Sequence, residues 1–246
     1  NSIMPQDEFD QFKKQMQVMI ESMRDKPDAL AQNAITQHFN TYPKGDPRYE
    51  YSLDESLEQL NKLTVDQVRA FYKEFGGTSR GEISIVGDFD PKAVEKIIRD
   101  DYAKYVSKAH YAPVVTEYRP VKATRVVIDT PDKENAIIVA RSVFPINDTA
   151  PDAPALTVAN WILGGGTGLS NRLIERLRQK EGLSYGAGSR VRIPAKGDNG
   201  SFVFRAIVAP QNMLQAEASA RDVIAKAIKD GFTDQEVEEA KKGLLQ

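Results

Sequence analysis

Residues 184–193 and 201–208 are two strand-like runs joined by Lys196-Gly197-Asp198-Asn199-Gly200. A short glycine-containing link between two such runs predicts a β-hairpin. A lone hairpin is marginal in water, so the flanking chain must add strands and a packing layer. It has the patterns to do so. Residues 124–128 and 136–143 predict two earlier strands. Residues 153–163 predict an apolar helix, broken by Gly164-Gly165-Gly166-Thr167-Gly168, and a helix resumes over 170–178. Pro210 opens a long amphipathic helix that ends at Gly231, and Thr233-Asp234-Gln235-Glu236 has the form of a capping box that starts another. The order strand, strand, helix, strand, strand, helix predicts an α+β chain with antiparallel sheets flanked by helices.

The first part of the chain is more helical. Phe9, Phe12, Met16, Met19, Ile20 and Met23 fall at helical spacing up to Lys26-Pro27. Asp28 is expected to cap a second helix with Leu30, Ala34, Ile35 and His38 on its inner side. Tyr42-Pro43-Lys44-Gly45-Asp46-Pro47 predicts turns, and residues 52–60 a short helix. Thr64-Val65-Asp66-Gln67 predicts a capping box for a helix that runs to Gly76-Gly77. Residues 82–87 predict a strand, and Asp90 with Pro91 the start of a further helix. Residues 107–122 contain Pro113 and Pro120 and show no clear period, which predicts a connector. The expected division is therefore 1–106, 107–122 and 123–246: two partial domains joined by a connector. The chain opens at Asn1 and stops at Gln246 inside a helical pattern, so a fragment is expected.

Side-chain chemistry narrows the function. The chain has no cysteine, which removes disulfides and thiolate metal sites, and only two histidines, His38 and His110. Neither has a second histidine or glutamate at ligand spacing, so no zinc site is expected in this chain. The scarcity of histidine and the lack of a Gly-x-Ser-x-Gly elbow argue against a nucleophilic triad. Gly164 to Gly168 follows a helix and lacks the Lys-Ser/Thr ending of a phosphate loop. Two readings of it stay open, a break that redirects a helix or a mobile loop at a binding surface. Interspersed charges and a net charge of −2 give no sign of a nucleic-acid partner. No apolar run reaches the roughly 18 residues of a membrane span.

The stretch from Leu177 to Gly186 is the most informative. Arg178 stands at a helix end, Gly182 suits the C-terminal cap, and Tyr185 lies on the strand that follows. A guanidinium and a phenol leaving one turn can both donate to a carbonyl or carboxylate oxygen. The residues alone also allow a helix-end arginine and a half-buried tyrosine.

Three blocks of the sequence resemble the pitrilysin or insulinase-like zinc peptidases. They are Ile83-Ser84-Ile85-Val86-Gly87-Asp88-Phe89-Asp90; Ile162-Leu163-Gly164-Gly165-Gly166 with Ser170-Asn171-Arg172-Leu173; and Leu177 to Tyr185. Thr130-Pro131-Asp132-Lys133-Glu134-Asn135-Ala136 looks like the long, four-domain bacterial members. The resemblance covers nearly the whole chain from about Glu8. It implies repeated α+β domains in two halves that enclose a peptide, one half bearing an inverted His-x-x-Glu-His zinc motif. It implies that Arg178 and Tyr185 bind substrate near the scissile bond. It implies, more loosely, that Gly164, Gly165 and Gly166 belong to a substrate-recognition loop. The zinc motif is absent here, so the resemblance implies the substrate-facing portion of a zinc metallopeptidase whose zinc is held elsewhere. On this reading residues 1–106 are the second half of one peptidase-like domain and 123–246 the first half of the next. The implied partners are a peptide and the zinc-bearing half of the parent or a paired subunit. An inactive peptide-binding or scaffold subunit is the alternative. Family usage points to the bacterial periplasm or envelope, with cytoplasm as the alternative.

Overall fold

The computed structural model describes residues 4–79, 81–102, 105–166 and 171–245. The chain forms two compact units, Asn1–Glu21 with Asp54–Pro113 and Ser22–Leu53 with Val114–Gln246.

In the first unit the described elements are helices: most of α1 (Gln6–Met23), then α3 (Leu53–Lys62), α4 (Val65–Phe75) and α5 (Pro91–Tyr102). Their ends are set locally. The Lys13 ammonium donates to the carbonyls of Asn61 and Leu63, both at 2.8 Å, where the end of α3 leaves acceptors without helical partners. Thr64 and Gln67 form the reciprocal capping box that the sequence predicts. Asp90 accepts from the Lys92 N–H at 2.9 Å, with Pro91 at the first position of α5. Residues 82–87 depart from expectation. Alternation predicts a strand there, yet the described residues form no ladder and Val86 is 96% exposed. A strand needs a second edge to exchange hydrogen bonds with, and this unit's described residues supply none.

The second unit holds α2 (Pro27–His38) and a three-stranded antiparallel sheet. The strands are β1 (Ala136–Pro145), β2 (Ser184–Arg192) and β3 (Asn199–Val208), in the order β1-β3-β2. The predicted hairpin is thus present as β2 and β3, and β1 pairs on the far side of β3. Residues 124–128 form no strand, and Val126 and Val127 are exposed. The β-branched residues are there, but the described residues offer no partner edge. Asp28 does not cap α2. The helix starts two residues earlier than an Asp28 cap would place it, with Lys26 at the cap position, because Pro27 presets its first dihedral, and Asp28 pairs instead with Arg205 on β3 at 2.8 Å.

One face of β3 packs into the core through Phe204, Ala206 and Val208. Against it lie Leu173, Leu177 and α8 (Met213–Asp230), whose inner face carries Ala216, Ala220, Val223 and Ala227. Small residues on α8 let the helix approach the sheet closely. Thr233 and Glu236 close a capping box at the start of α9 (Asp234–Leu244), as predicted. Residues 107–122 form no helix or strand. Their second part is tied to this unit: the Tyr42 hydroxyl accepts from the Glu117 N–H at 3.0 Å, and the Arg48 and Arg119 guanidinium groups lie 4.0 and 4.1 Å from the centre of the Tyr42 ring.

Candidate functional site

The segment from Asn171 to Gly186 is anchored at its start. The Asn171 side chain, itself buried, accepts from the Ile174 N–H at 2.9 Å and caps α7 (Arg172–Ile174). Arg172 forks onto Glu236 at 2.7 and 2.8 Å and stacks 4.6 Å over the Phe232 ring. Leu173 and Leu177, four residues apart, are both 0% exposed. With the 173/177 face pinned inward, the next residue, Arg178, is turned to solvent.

The helix then widens into a π-helical turn over Glu175–Lys180. Such turns recur at functional positions. The Glu181 N–H donates to the Arg176 carbonyl at 3.1 Å, and the Leu183 N–H to the Leu177 carbonyl at 2.8 Å. Gly182 has φ +61°, a conformation that side-chain-bearing residues rarely adopt, which is why glycine stands at this turn. The Ser219 hydroxyl, then Arg176, holds the Glu181 carboxyl below its ordinary range.

On β2 the register slips between Ser184 and Gly186, so Tyr185 has no partner on β3. The Ser184 hydroxyl fixes this bulge: it accepts from the Gly186 N–H at 3.1 Å and lies 2.8 Å from the Ile207 carbonyl. Tyr185 is 67% exposed rather than half-buried. Among the described residues, neither Tyr185 nor Arg178 makes a side-chain hydrogen bond or ion pair. The result is two donors free at their tips, leaving a turn whose backbone is closed by the 177–183 hydrogen bond.

The glycines at 164–166 have packing reasons. The π-helical turn Trp161–Gly165 follows α6 (Ala153–Asn160). A Cβ on Gly164 would meet Leu173 Cδ1 and the Ser189 backbone nitrogen, each at 2.6 Å, so only glycine allows this approach to β2. Gly165 lies against Asn160 and Gly166 against Trp161. Thr167, Gly168 and Ser170 lie outside the described residues. His38 ends α2 with its ring edge-on to Phe39, and His110 is exposed. No group of three or more His, Cys, Asp or Glu side chains stands together among the described residues. The chain's described residues therefore do not fit a zinc ion.

Sequence reasoning missed Ser184, Asn171 and the Arg172–Glu236 pair. Asn171 had a legible signal, an Asn three residues ahead of an apolar helical residue. The pair had none, because its members are 64 residues apart.

Arg172, then the Thr233 contacts, hold the Glu236 carboxyl down at about 2, against an ordinary 4.5. A depressed carboxylate stabilises the fold above its unfolded value and loses that contribution as pH falls through its folded value. Glu236→Gln is expected to cost about 1–2 kcal/mol at neutral pH. The melting-temperature gap between wild type and variant should shrink as pH drops from about 4.5 towards 2. A gap constant across that window would contradict the assignment.

Residues 62–244 match the family model described as the peptidase M16 inactive domain. A curated relative is the non-peptidase homolog YmxG of Helicobacter pylori, 24% identical over 188 residues, covering 76% of this chain and 42% of that protein. Another is the uncharacterized zinc protease Rv2782c of Mycobacterium tuberculosis, 24% identical over 222 residues, covering 89% of this chain and 48% of that protein. The chain spans about half the length of the curated relatives it matches. Among solved structures, the peptidase M16 inactive domain from Pseudomonas fluorescens superposes with a TM-score of 0.85 at 25% identity, covering 99% of this chain and 57% of that one. Pitrilysin shares the fold, with a TM-score of 0.53 at 16% identity over 95% of this chain and 25% of that one.

Proposed function

The chain belongs to the peptidase M16 inactive-domain family, and on that premise we propose that it is the substrate-facing, non-zinc-binding portion of a zinc metallopeptidase that hydrolyses peptides. The observation that carries this is the hydrogen-bonded turn with two donors, Arg178 and Tyr185, that have no side-chain partner among the described residues. Tyr185 is 67% exposed at a bulge outside the ladder, so its hydroxyl is open to a ligand. The zinc would be held by another part of the parent and would supply Lewis-acid activation there. This chain's own task is narrower. As a peptide carbonyl is attacked, its oxygen gains negative charge; the guanidinium and the phenol donate hydrogen bonds to it and hold the peptide backbone in register. Gly164 keeps the adjoining turn against β2, while Gly165 and Gly166 pack on Asn160 and Trp161; on this reading the three glycines also help to shape the peptide-binding surface.

A second reading is supported by the relative called a non-peptidase homolog: the parent binds peptides for a separate active chain. Zinc analysis and peptide cleavage by the purified intact parent separate the two. Stoichiometric zinc, with cleavage that chelator abolishes and zinc restores, is the expected result. A parent with neither zinc nor cleavage would overturn the first reading and favour the second.

A further inference from the structure

The ladder register places four arginines on the face of the sheet opposite the Leu173/Leu177 core. Arg141 on β1 and Arg190 on β2 both flank Val203 of β3, and Arg192 on β2 flanks Ser201. Directly opposed residues in antiparallel strands share a face, and neighbouring strands lie about 4.8 Å apart, so Arg141 and Arg190 emerge roughly 10 Å from each other. Arg205 is the fourth, and it is already paired with Asp28 at 2.8 Å. The other three have no hydrogen bond or ion pair among the described residues.

Arg141 is the most telling. Its guanidinium is half-buried and stacks 4.8 Å over the Phe39 ring, yet its Nε is fully buried with no acceptor. Native structures rarely leave such a donor unsatisfied, and a buried charge without a partner is costlier still. Burial, then the nearby Arg192 charge, pulls the Arg141 pKa down, and Glu50 is the one carboxylate acting against this. Glu50 is exposed and makes no ion pair among the described residues. The face thus concentrates positive charge around a stacked guanidinium whose two Nη atoms make no hydrogen bond among the described residues and can fork onto a carboxylate.

We propose that Arg141, Arg190 and Arg192 form a carboxylate-binding site for an acidic side chain of the bound peptide. This rests on the peptide-binding reading given above and assigns it a specificity: peptides carrying Asp or Glu. The stack on Phe39 orients Arg141 for a bidentate contact, and the two β2 arginines add positive potential that attracts further acidic side chains of the same peptide.

The test uses the intact parent and two fluorescein-labelled peptides of equal length, one with a central Glu-Glu-Glu and one with Gln-Gln-Gln, read by fluorescence anisotropy. The Glu peptide is expected to bind at least about 10-fold tighter at low salt, with the advantage fading as salt rises. R190Q/R192Q, which changes two exposed side chains, should remove that advantage while leaving the Gln peptide's affinity and the melting temperature unchanged. Arg141→Met should do the same, and its stacking on Phe39 tests whether the fold tolerates it. Equal binding of both peptides would overturn the proposal. So would R190Q/R192Q lowering the melting temperature with no effect on the Glu peptide, since the arginines would then be paired by another segment of the parent. Equal binding of both peptides, together with a turnover loss in Arg178→Ala, would reject this site alone and leave the substrate-facing reading standing.

Discussion

Tyr185→Phe in the intact parent is expected to lower peptide turnover on the order of 100-fold and leave the fold unchanged. The expectation follows from what the hydroxyl does not do. Tyr185 is largely exposed, sits at a bulge outside the ladder, and makes no side-chain hydrogen bond among the described residues. Removing its oxygen therefore takes nothing from the folded chain. An oxygen that gains charge only in the transition state loses a donor, so kcat and kcat/KM should fall together. Arg178→Ala should behave alike, and Arg178→Lys should recover little, because an ammonium cannot reproduce the guanidinium fork. Steady-state kinetics on a fluorogenic peptide, with melting curves alongside, reads both effects. Turnover unchanged in both Tyr185→Phe and Arg178→Ala would sink the assignment.

Leu177→Ala is expected to cost about 2–5 kcal/mol in urea unfolding, and activity with it. Leu177 is fully buried between the sheet and α8, and its carbonyl accepts the Leu183 N–H that closes the turn. The truncation leaves a cavity beneath Arg178 and loosens the closure on which Tyr185 depends. Lys180→Ala, three residues on, is the contrast. Lys180 is exposed and among the described residues pairs only with Glu175, at 2.7 Å between two solvent-facing side chains, so its loss should shift stability by less than about 0.5 kcal/mol. Equal costs for the two variants would mean that the turn is not held by the core.

The family blocks look different once the structure is known. Asn171, Arg172 and Leu173 act as a helix cap, an ion pair and a core residue. They build the scaffold that presents Arg178. Gly164 belongs to the same scaffold, since a side chain there would collide with the Ser189 backbone.

The sequence by itself determined what is local. The capping boxes at Thr64 and Thr233, the start at Asp90-Pro91, the turn at Gly182 and the β2–β3 hairpin depend on residues within a few positions of each other. Their energies are set before the chain meets itself again. Tertiary structure decided the rest. Residues 82–87 carry strand alternation and residues 124–128 a run of β-branched residues, yet neither forms a strand, because pairing is a property of two edges. Pro27 moved the start of α2, and Asp28 found Arg205 far along the chain. The bulge that exposes Tyr185, the Arg172–Glu236 fork and the row of arginines flanking Val203 all follow from register. Register is settled by which faces bury apolar surface, and that is fixed only when the sheet and α8 pack together.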